Sequence, residues 1–298
     1  MPILLFTMLS ASAFAGWQTH YELGEQFLAQ GKTEAALHEL TAARQEAEAG
    51  ALGSPELGWI LDALGRTDFR AGRYRLAKAY FERALRYRSN DPISEAAVLA
   101  NLGQCLQALG ELARAERSLR RVLELAPESA RAWHLLGSVL FQGRQFAPAE
   151  VALRKAIQLS DHSDPDAATA SASDLASLYQ AQGQLGKATA ALEQALELAE
   201  PGQSRARMLA NLGSFKWQAG AKPQAVDYFQ RVLTEMESVV GPNHPDVAFI
   251  LAGYAVVLEK SGNKKDSREA AFRAKAIQSS FSAQTRNTRV AVDVTDLK

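Results

Sequence analysis

The sequence predicts an all-α protein built from seven successive helical hairpins. Three observations carry this prediction: glycines recur at intervals of 33 to 42 residues, small and large apolar residues recur in register with them, and prolines fall outside the predicted helix interiors. No alternating strand pattern competes between Trp17 and Phe281. We therefore predict one helical array over residues 17–281.

The first helix of each hairpin is marked by a small residue, here called the anchor, that follows a large apolar one. A glycine comes soon after each anchor and suits the position just past a helix end, where the left-handed conformation favours glycine. The anchors are Gly24, Gly65, Gly103, Gly137, Ala176, Gly213 and Ala255, and the later glycines are Gly31, Gly72, Gly110, Gly143, Gly183, Gly220 and Gly262.

The second helix of each hairpin shows a small, a large and a small residue at twelve, sixteen and nineteen positions after the anchor. These spacings place all three on one helix face, where small residues let two helices approach and the large one fills the gap. In the fourth repeat they are Ala149, Leu153 and Ala156. The last repeat carries Ser267 in the first column, which is expected where a terminal repeat faces water on one side.

Composition and charge exclude several classes of protein. The chain has 298 residues and 33 basic against 33 acidic side chains, so its formal net charge is zero. That balance disfavours a surface built for nucleic acid or an acidic membrane. The single cysteine, Cys105, excludes an internal disulfide framework and is interpreted as a small buried residue. No apolar stretch reaches the ~20 residues of a membrane-spanning helix.

Residues 1–15 have the form of an export signal. An apolar stretch, Ile3–Met8, is followed by Ala13-Phe14-Ala15, the small-x-small pattern of a signal-peptidase site. We expect export to the periplasm or the exterior, with the mature chain beginning at Gly16. A short capping helix or a wrongly chosen start codon is the alternative, and the protein would then be cytoplasmic.

Residues 282–298 leave the repeat pattern. Val290, Val292 and Val294 alternate as in a strand, but a lone strand has nothing to pair with, so we predict a disordered tail. The alternative is a segment that adds an edge strand to a partner or lies in the groove of its own array.

Motifs that carry chemistry are absent from the sequence. No two histidines have metal-ligand spacing, and no phosphate-binding glycine loop, zinc-protease or serine-hydrolase motif occurs. We predict no enzyme activity, no metal and no cofactor. The basic stretch from Arg66 to Arg88 is interpreted as a solvated outer face, and we expect no nucleic-acid binding.

The seven repeats over residues 17–281 carry a family resemblance, which is clearest in the fourth. Residues Ala130–Leu159 resemble a tetratricopeptide repeat, and GPNHPDVA at 241–248 is similar to the kinesin-light-chain type of this repeat. The motif columns are occupied by Trp133, Leu136, Gly137, Ala149 and Ala156. The resemblance implies a solenoid of about fourteen antiparallel helices in a right-handed superhelix, with the first helix of each repeat on the concave surface.

The resemblance also implies a function: a non-catalytic scaffold that holds a peptide or helix of a partner protein in its concave groove. An accessory or regulatory subunit of an enzyme, or of a secretion or envelope-assembly machine, is the alternative. The first-helix positions that face the groove carry aromatic and amide side chains, which are typical of binding sites. Arg70 also occupies one of these positions. The candidate groove residues are Tyr21, Trp59, Asp62, Arg66, Phe69, Asn101, Gln104, Arg131, His134, Phe141, Asn211 and Trp217.

Overall fold

A computed structural model describes residues 3–50, 54–87, 91–160 and 165–295 of the chain. For some of these residues only the backbone is described, and their side chains are not: 3–15, 54, 165–167, 198 and 282–295. The side chains of the predicted export signal, residues 1–15, are therefore not described. The chain divides into two compact units, Met1–Leu159 and Ser160–Lys298. Each unit is described by itself below.

The first unit contains four helical hairpins. A short 3-10 turn, Leu85–Tyr87, follows the fourth helix. The helices are α1 Ile3–Ala29, α2 Thr33–Ala49, α3 Ser54–Arg70, α4 Tyr74–Ala84, α5 Pro92–Ala108, α6 Leu112–Leu125, α7 Ala130–Gln142 and α8 Phe146–Leu159.

The second unit contains three hairpins. Its helices are α9 Pro165–Ala181, α10 Leu185–Leu198, α11 Gln203–Gln218, α12 Lys222–Val240, α13 Pro245–Lys260 and α14 Lys264–Thr295. In the described part of the chain all fourteen long elements are α-helices and no strand occurs, which confirms the predicted all-α hairpin array.

Each first helix packs most closely on the second helix of its own hairpin. Within the first unit, α2, α4 and α6 then pack on the first helix of the next hairpin, and the first helices α1, α3, α5 and α7 also contact their neighbours in order. The first helices therefore lie side by side in this unit, and their outward faces form a common surface.

The anchors allow the close approach that the sequence predicts. A Cβ added at Gly65 would lie 2.6 Å from the Phe81 ring, and one added at Gly137 would lie 2.6 Å from Leu153 Cγ. The large residue sixteen positions after each of these anchors thus packs directly over the glycine. Burial of Phe81 and Leu153 against their anchors holds the two helices of each hairpin together.

The turn after the first helix differs from prediction in one repeat. Six of the seven predicted glycines have φ between 72° and 89°, in the left-handed region. Gly143 instead has φ −75°, and the next residue, Arg144, has φ 58°. The assignment of the left-handed turn to Gly143 is therefore wrong, because the residue seven after the anchor Gly137 is Arg144.

The last repeat departs from the sequence interpretation at two places. Ser267 does not face water: it is 8% exposed, and its Oγ donates to the Ala255 carbonyl oxygen at 2.8 Å. Further on, the backbone of α14 continues to Thr295, where the sequence predicts an irregular tail from residue 282. No glycine or proline follows Gly262, so the chain offers no helix terminator there.

In the residues that the structure describes, no helix combines the length and the apolar character needed to cross a membrane.

Candidate protein-binding groove

A cleft of about 630 Å³ lies among the first helices α3, α5 and α7 of the first unit. It brings together six of the residues predicted for the groove: Asp62, Arg66, Phe69, Asn101, Gln104 and Arg131. Arg70, five positions after its anchor, lines the same cleft. The cleft thus brings together first-helix side chains of the second, third and fourth repeats, and their role in binding stays a prediction.

A polar network centred on Asp62 forms one side of the cleft. Asp62 Oδ2 accepts a hydrogen bond from Arg66 Nε at 2.8 Å, and Oδ1 accepts one from Asn101 Nδ2 at 3.0 Å. Arg66 also donates through Nη2 to Glu25 Oε1 on α1. Because these charges are engaged with one another, the network ties α1, α3 and α5 together.

Two other arginines of the cleft have no carboxylate partner among the described residues. Arg70 Nη1 donates to the Leu28 carbonyl oxygen, and Arg131 Nη2 donates to Gln104 Oε1 at 3.4 Å. Both side chains are exposed. Since Asp62, the one acidic lining residue of the described cleft, is engaged by Arg66, the cleft carries an excess of positive charge.

Small residues of α5, of α7 and of the connection between α6 and α7 complete the lining, and the sequence analysis did not include them among the groove residues. Ala97 and Ala100 stand six and three positions before the anchor Gly103, the same positions as Trp59 and Asp62 in the preceding repeat. That register could have identified them. They were overlooked because alanine in a helical repeat is usually taken for a packing residue. The small lining residues are Ala96, Ala97, Ala100, Ala126, Ser129 and Ala132.

A second, smaller pocket of about 130 Å³ contains Tyr21 and Trp59. Asp62 and Ala97 line both cavities, so the two adjoin along α3 and α5. Trp59 is 45% exposed, which leaves much of its ring available for contact. Burial, with a smaller contribution from the Glu25 carboxylate, raises the pKa of Tyr21 to about 12, so its hydroxyl stays protonated at neutral pH.

Four predicted groove residues lie elsewhere. His134 and Phe141 are half-buried on α7 and are not among the described lining residues of either cavity, and the Phe141 ring packs on Phe146 with centroids 6.2 Å apart. Asn211 and Trp217 lie on α11 in the second unit, where the Lys222 ammonium sits 5.6 Å from the Trp217 ring centroid. The structure therefore brings together only the residues of the first three repeats and Arg131.

The basic stretch that begins at Arg66 is extensively paired with acidic groups of neighbouring helices. Arg73 Nε lies 2.7 Å from Asp68 Oδ1, and Lys78 Nζ lies 2.6 Å from Glu111 Oε1. Arg83 pairs with Glu48 at 3.4 Å. The local excess of arginines in the sequence is thus reduced by tertiary contacts.

Two observations concern metal-ligating and nucleophilic groups in the described part of the chain. No cluster of three or more His, Cys, Asp or Glu side chains suited to a metal ion occurs in the part that the structure describes. Cys105 is buried, as predicted, and its Sγ donates to the Tyr74 carbonyl oxygen at 2.9 Å. Burial raises the pKa of the Cys105 thiol to about 11, which suppresses the nucleophilic thiolate.

Family models described as tetratricopeptide repeat match four segments of this chain. The matched residues are 68–139, 130–162, 169–200 and 204–280. These segments include all of α4 to α8, α10, α12 and α13, and all of α11 except its first residue. Comparison with the curated proteins gave no match.

Several solved structures share the fold. PilF of Pseudomonas aeruginosa aligns with a TM-score of 0.56 and 21% identity over 78% of this chain and 96% of that chain. PilW, titled a widely conserved type IV pilus biogenesis factor, aligns with a TM-score of 0.54 and 23% identity over 74% and 93%. A thermophilic tetratricopeptide-repeat protein from Thermus thermophilus reaches 0.50 and 21% over 68% and 99%. At these identities the likeness shows a common helical-repeat fold.

Proposed function

Because this chain belongs to the tetratricopeptide-repeat family, we propose that it is a non-catalytic scaffold whose cleft among α3, α5 and α7 holds an extended, acidic segment of a partner protein. The observation that carries the proposal is the pair Arg70 and Arg131, which line one cleft without a carboxylate partner among the described residues.

The charge of the cleft supports an acidic ligand. The guanidinium groups of Arg70 and Arg131 contact only a backbone carbonyl and a side-chain amide in the described contacts. A carboxylate would replace these neutral acceptors with an oppositely charged one, and it can accept two parallel hydrogen bonds from one guanidinium group. A basic segment would instead place like charges together, so the cleft discriminates by charge.

The shape of the lining supports an extended backbone. Ala97 and Ala100 present only methyl groups along α5, so a peptide chain can come close to the helix. The side chains of Gln104 and Ser129 supply hydrogen-bonding groups at the same surface, which suits the exposed amides of an extended peptide. Trp59, in the adjoining pocket, adds apolar area at one end.

The experiment measures binding of labelled eight-residue peptides that are matched in length and differ only in charge. We expect the acidic set to bind and the neutral and basic sets to bind at least tenfold more weakly. The variant Arg70→Gln with Arg131→Gln should lose about tenfold in affinity for the acidic set, which corresponds to ~1.4 kcal/mol. Raising the salt concentration should weaken binding in the wild type more than in the variant.

Arg117→Gln is the matched control. Arg117 is an exposed arginine of the same unit that, like Arg70, donates to a backbone carbonyl, but it lies on the second helix α6. Equal binding of all three peptide sets, or an unchanged affinity in the double variant with normal helicity, would overturn the proposal.

A further inference from the structure

Helix α1 is longer at its start than the first helix of every other repeat. It begins at Ile3, 21 residues before its anchor Gly24. By contrast, α3 begins eleven residues before Gly65, and α13 begins ten residues before Ala255. Transferred to the first repeat, these distances place the start of the helix at residue 13 or 14.

The pairing of α1 with α2 leads to the same position. A Cβ added at Gly24 would meet Leu40, and one added at Gly16 would meet the Glu46 carboxylate, so the two helices run antiparallel in this register. Helix α2 ends at Ala49, three residues beyond Glu46. The paired part of α1 therefore reaches back only about three residues before Gly16.

Among the side chains that the structure describes, the first buried one in α1 comes directly after this position. Trp17 is 4% exposed and belongs to the apolar core of the first repeats, together with Leu40 and Ala43. A chain that began at Gly16 would thus keep this core residue, whereas one that began after Trp17 would lose it. A cut after Ala15 removes the surplus length of α1 together with only about three residues of the part that pairs with α2.

We propose that Ala15–Gly16 is a processing site for an endopeptidase of the signal-peptidase type and that Glu46 binds the new amino terminus. Water adds across the Ala15–Gly16 amide: Ala15 leaves with a carboxylate on the released segment, and Gly16 becomes an α-ammonium group on the array. Ala13 and Ala15 are the small residues that such enzymes require, and Ile3–Met8 is the apolar stretch before them.

Glu46 is placed to receive that charge. Its Oε1 lies 3.2 Å from where a Gly16 Cβ would stand, and a Cβ and the nitrogen of one residue are only about 2.5 Å apart. The Gly16 nitrogen is therefore within about 6 Å of the carboxylate, a separation at which an α-ammonium group and a carboxylate attract each other. In the described contacts, the one basic side chain near Glu46 is the imidazole of His20, with Nε2 3.8 Å from Oε1.

The first test is the intact mass of the full chain produced with its own amino terminus and a carboxyl-terminal tag in an export-competent bacterial host. We expect a protein that begins at Gly16. Ala15→Arg should block processing, and Phe14→Leu, at the middle position of the motif, should not. A mass that retains Met1, or begins at another residue, while an exported control protein in the same cells is processed overturns the proposal.

The second test addresses Glu46. Glu46→Gln should lower the melting temperature of the processed protein by about 1–2 °C more than that of the Ala15→Arg protein, which keeps a neutral amide at Gly16. The contact of Glu46 with His20 is present in both backgrounds and cancels in the comparison. Equal shifts in the two backgrounds would show that Glu46 does not bind the new amino terminus.

Discussion

Asn101 on α5 donates a hydrogen bond to Asp62 on α3, with 3.0 Å between Nδ2 and Oδ1. Both residues are candidates for ligand contact, but this bond also joins the first helices of the second and third repeats. The wall of the cleft is therefore held by the residues that face it. A change at either position acts on the shape of the cleft as well as on any ligand.

The coupling between these two residues can be measured. We expect Asn101→Ala to lower the free energy of unfolding by about 1 kcal/mol, and Asp62→Ala by about 1–2 kcal/mol because Arg66 then keeps only Glu25. The double variant should lose about 1 kcal/mol less than the sum of the two, as shown by urea unfolding. Strictly additive losses would contradict a direct bond.

The left-handed residue after α7 predicts a stabilising change. Arg144 has φ 58°, where a side chain costs about 1 kcal/mol relative to glycine. Arg144→Gly should therefore raise the free energy of unfolding by roughly that amount. Gly110→Ala is the opposite test, because Gly110 has φ 76° and an alanine there would be strained. This variant should lower the free energy of unfolding by a similar amount. Urea midpoints of the two variants that move in the same direction would refute this reading.

Asp91 at the start of α5 predicts a pH-dependent stability. Its carboxylate accepts from the Ser94 hydroxyl and from the backbone N–H groups of Ile93 and Ser94, and these bonds lower the pKa of Asp91. A lowered folded-state pKa means that the contribution is present above the unfolded pKa of about 3.9 and is lost as pH falls through the folded value.

Asp91→Ala should accordingly lower the melting temperature by about 2–4 °C at pH 7 and by less at pH 3. Asp91→Asn is the control: an amide oxygen still caps the helix, but it does not titrate, so the difference between wild type and this variant should shrink in acid. A penalty for Asp91→Ala that is constant from pH 7 to pH 3 would count against the capping carboxylate.

Cys105 should resist alkylation in the folded protein. A thiol with a pKa of about 11 carries more than about a hundredfold less thiolate at pH 8 than an ordinary cysteine, and its burial also limits access. We expect reaction with a thiol-specific chromogenic reagent to be slower by at least that factor in buffer than in guanidinium chloride. Comparable rates in the two solvents would mean that the thiol is accessible and ionised.

The repeat pattern was readable from the sequence because each hairpin needs the same small residue at the same helical spacing. Gly65 and Phe81 are sixteen residues apart, and their contact is local to one hairpin. The same local logic identified Cys105 as buried, whereas the common surface of Asp62, Arg66 and Arg131 was expected only from the family resemblance. Even the misassigned turn at Gly143 was detectable, since it lies six residues after its anchor and not seven.

Contacts between hairpins were decided only by the tertiary structure. The Asp62–Asn101 bond, the Lys78–Glu111 pair and the cleft shared by Arg70 and Arg131 each join residues more than thirty positions apart. Their partners depend on how successive hairpins pack, which periodicity within one hairpin does not encode. The sequence by itself thus determined the helical hairpin and its buried residues, because both follow from helical spacing. Only the packing of successive hairpins decided that Arg70 and Arg131 share a cleft without a carboxylate partner among the described residues.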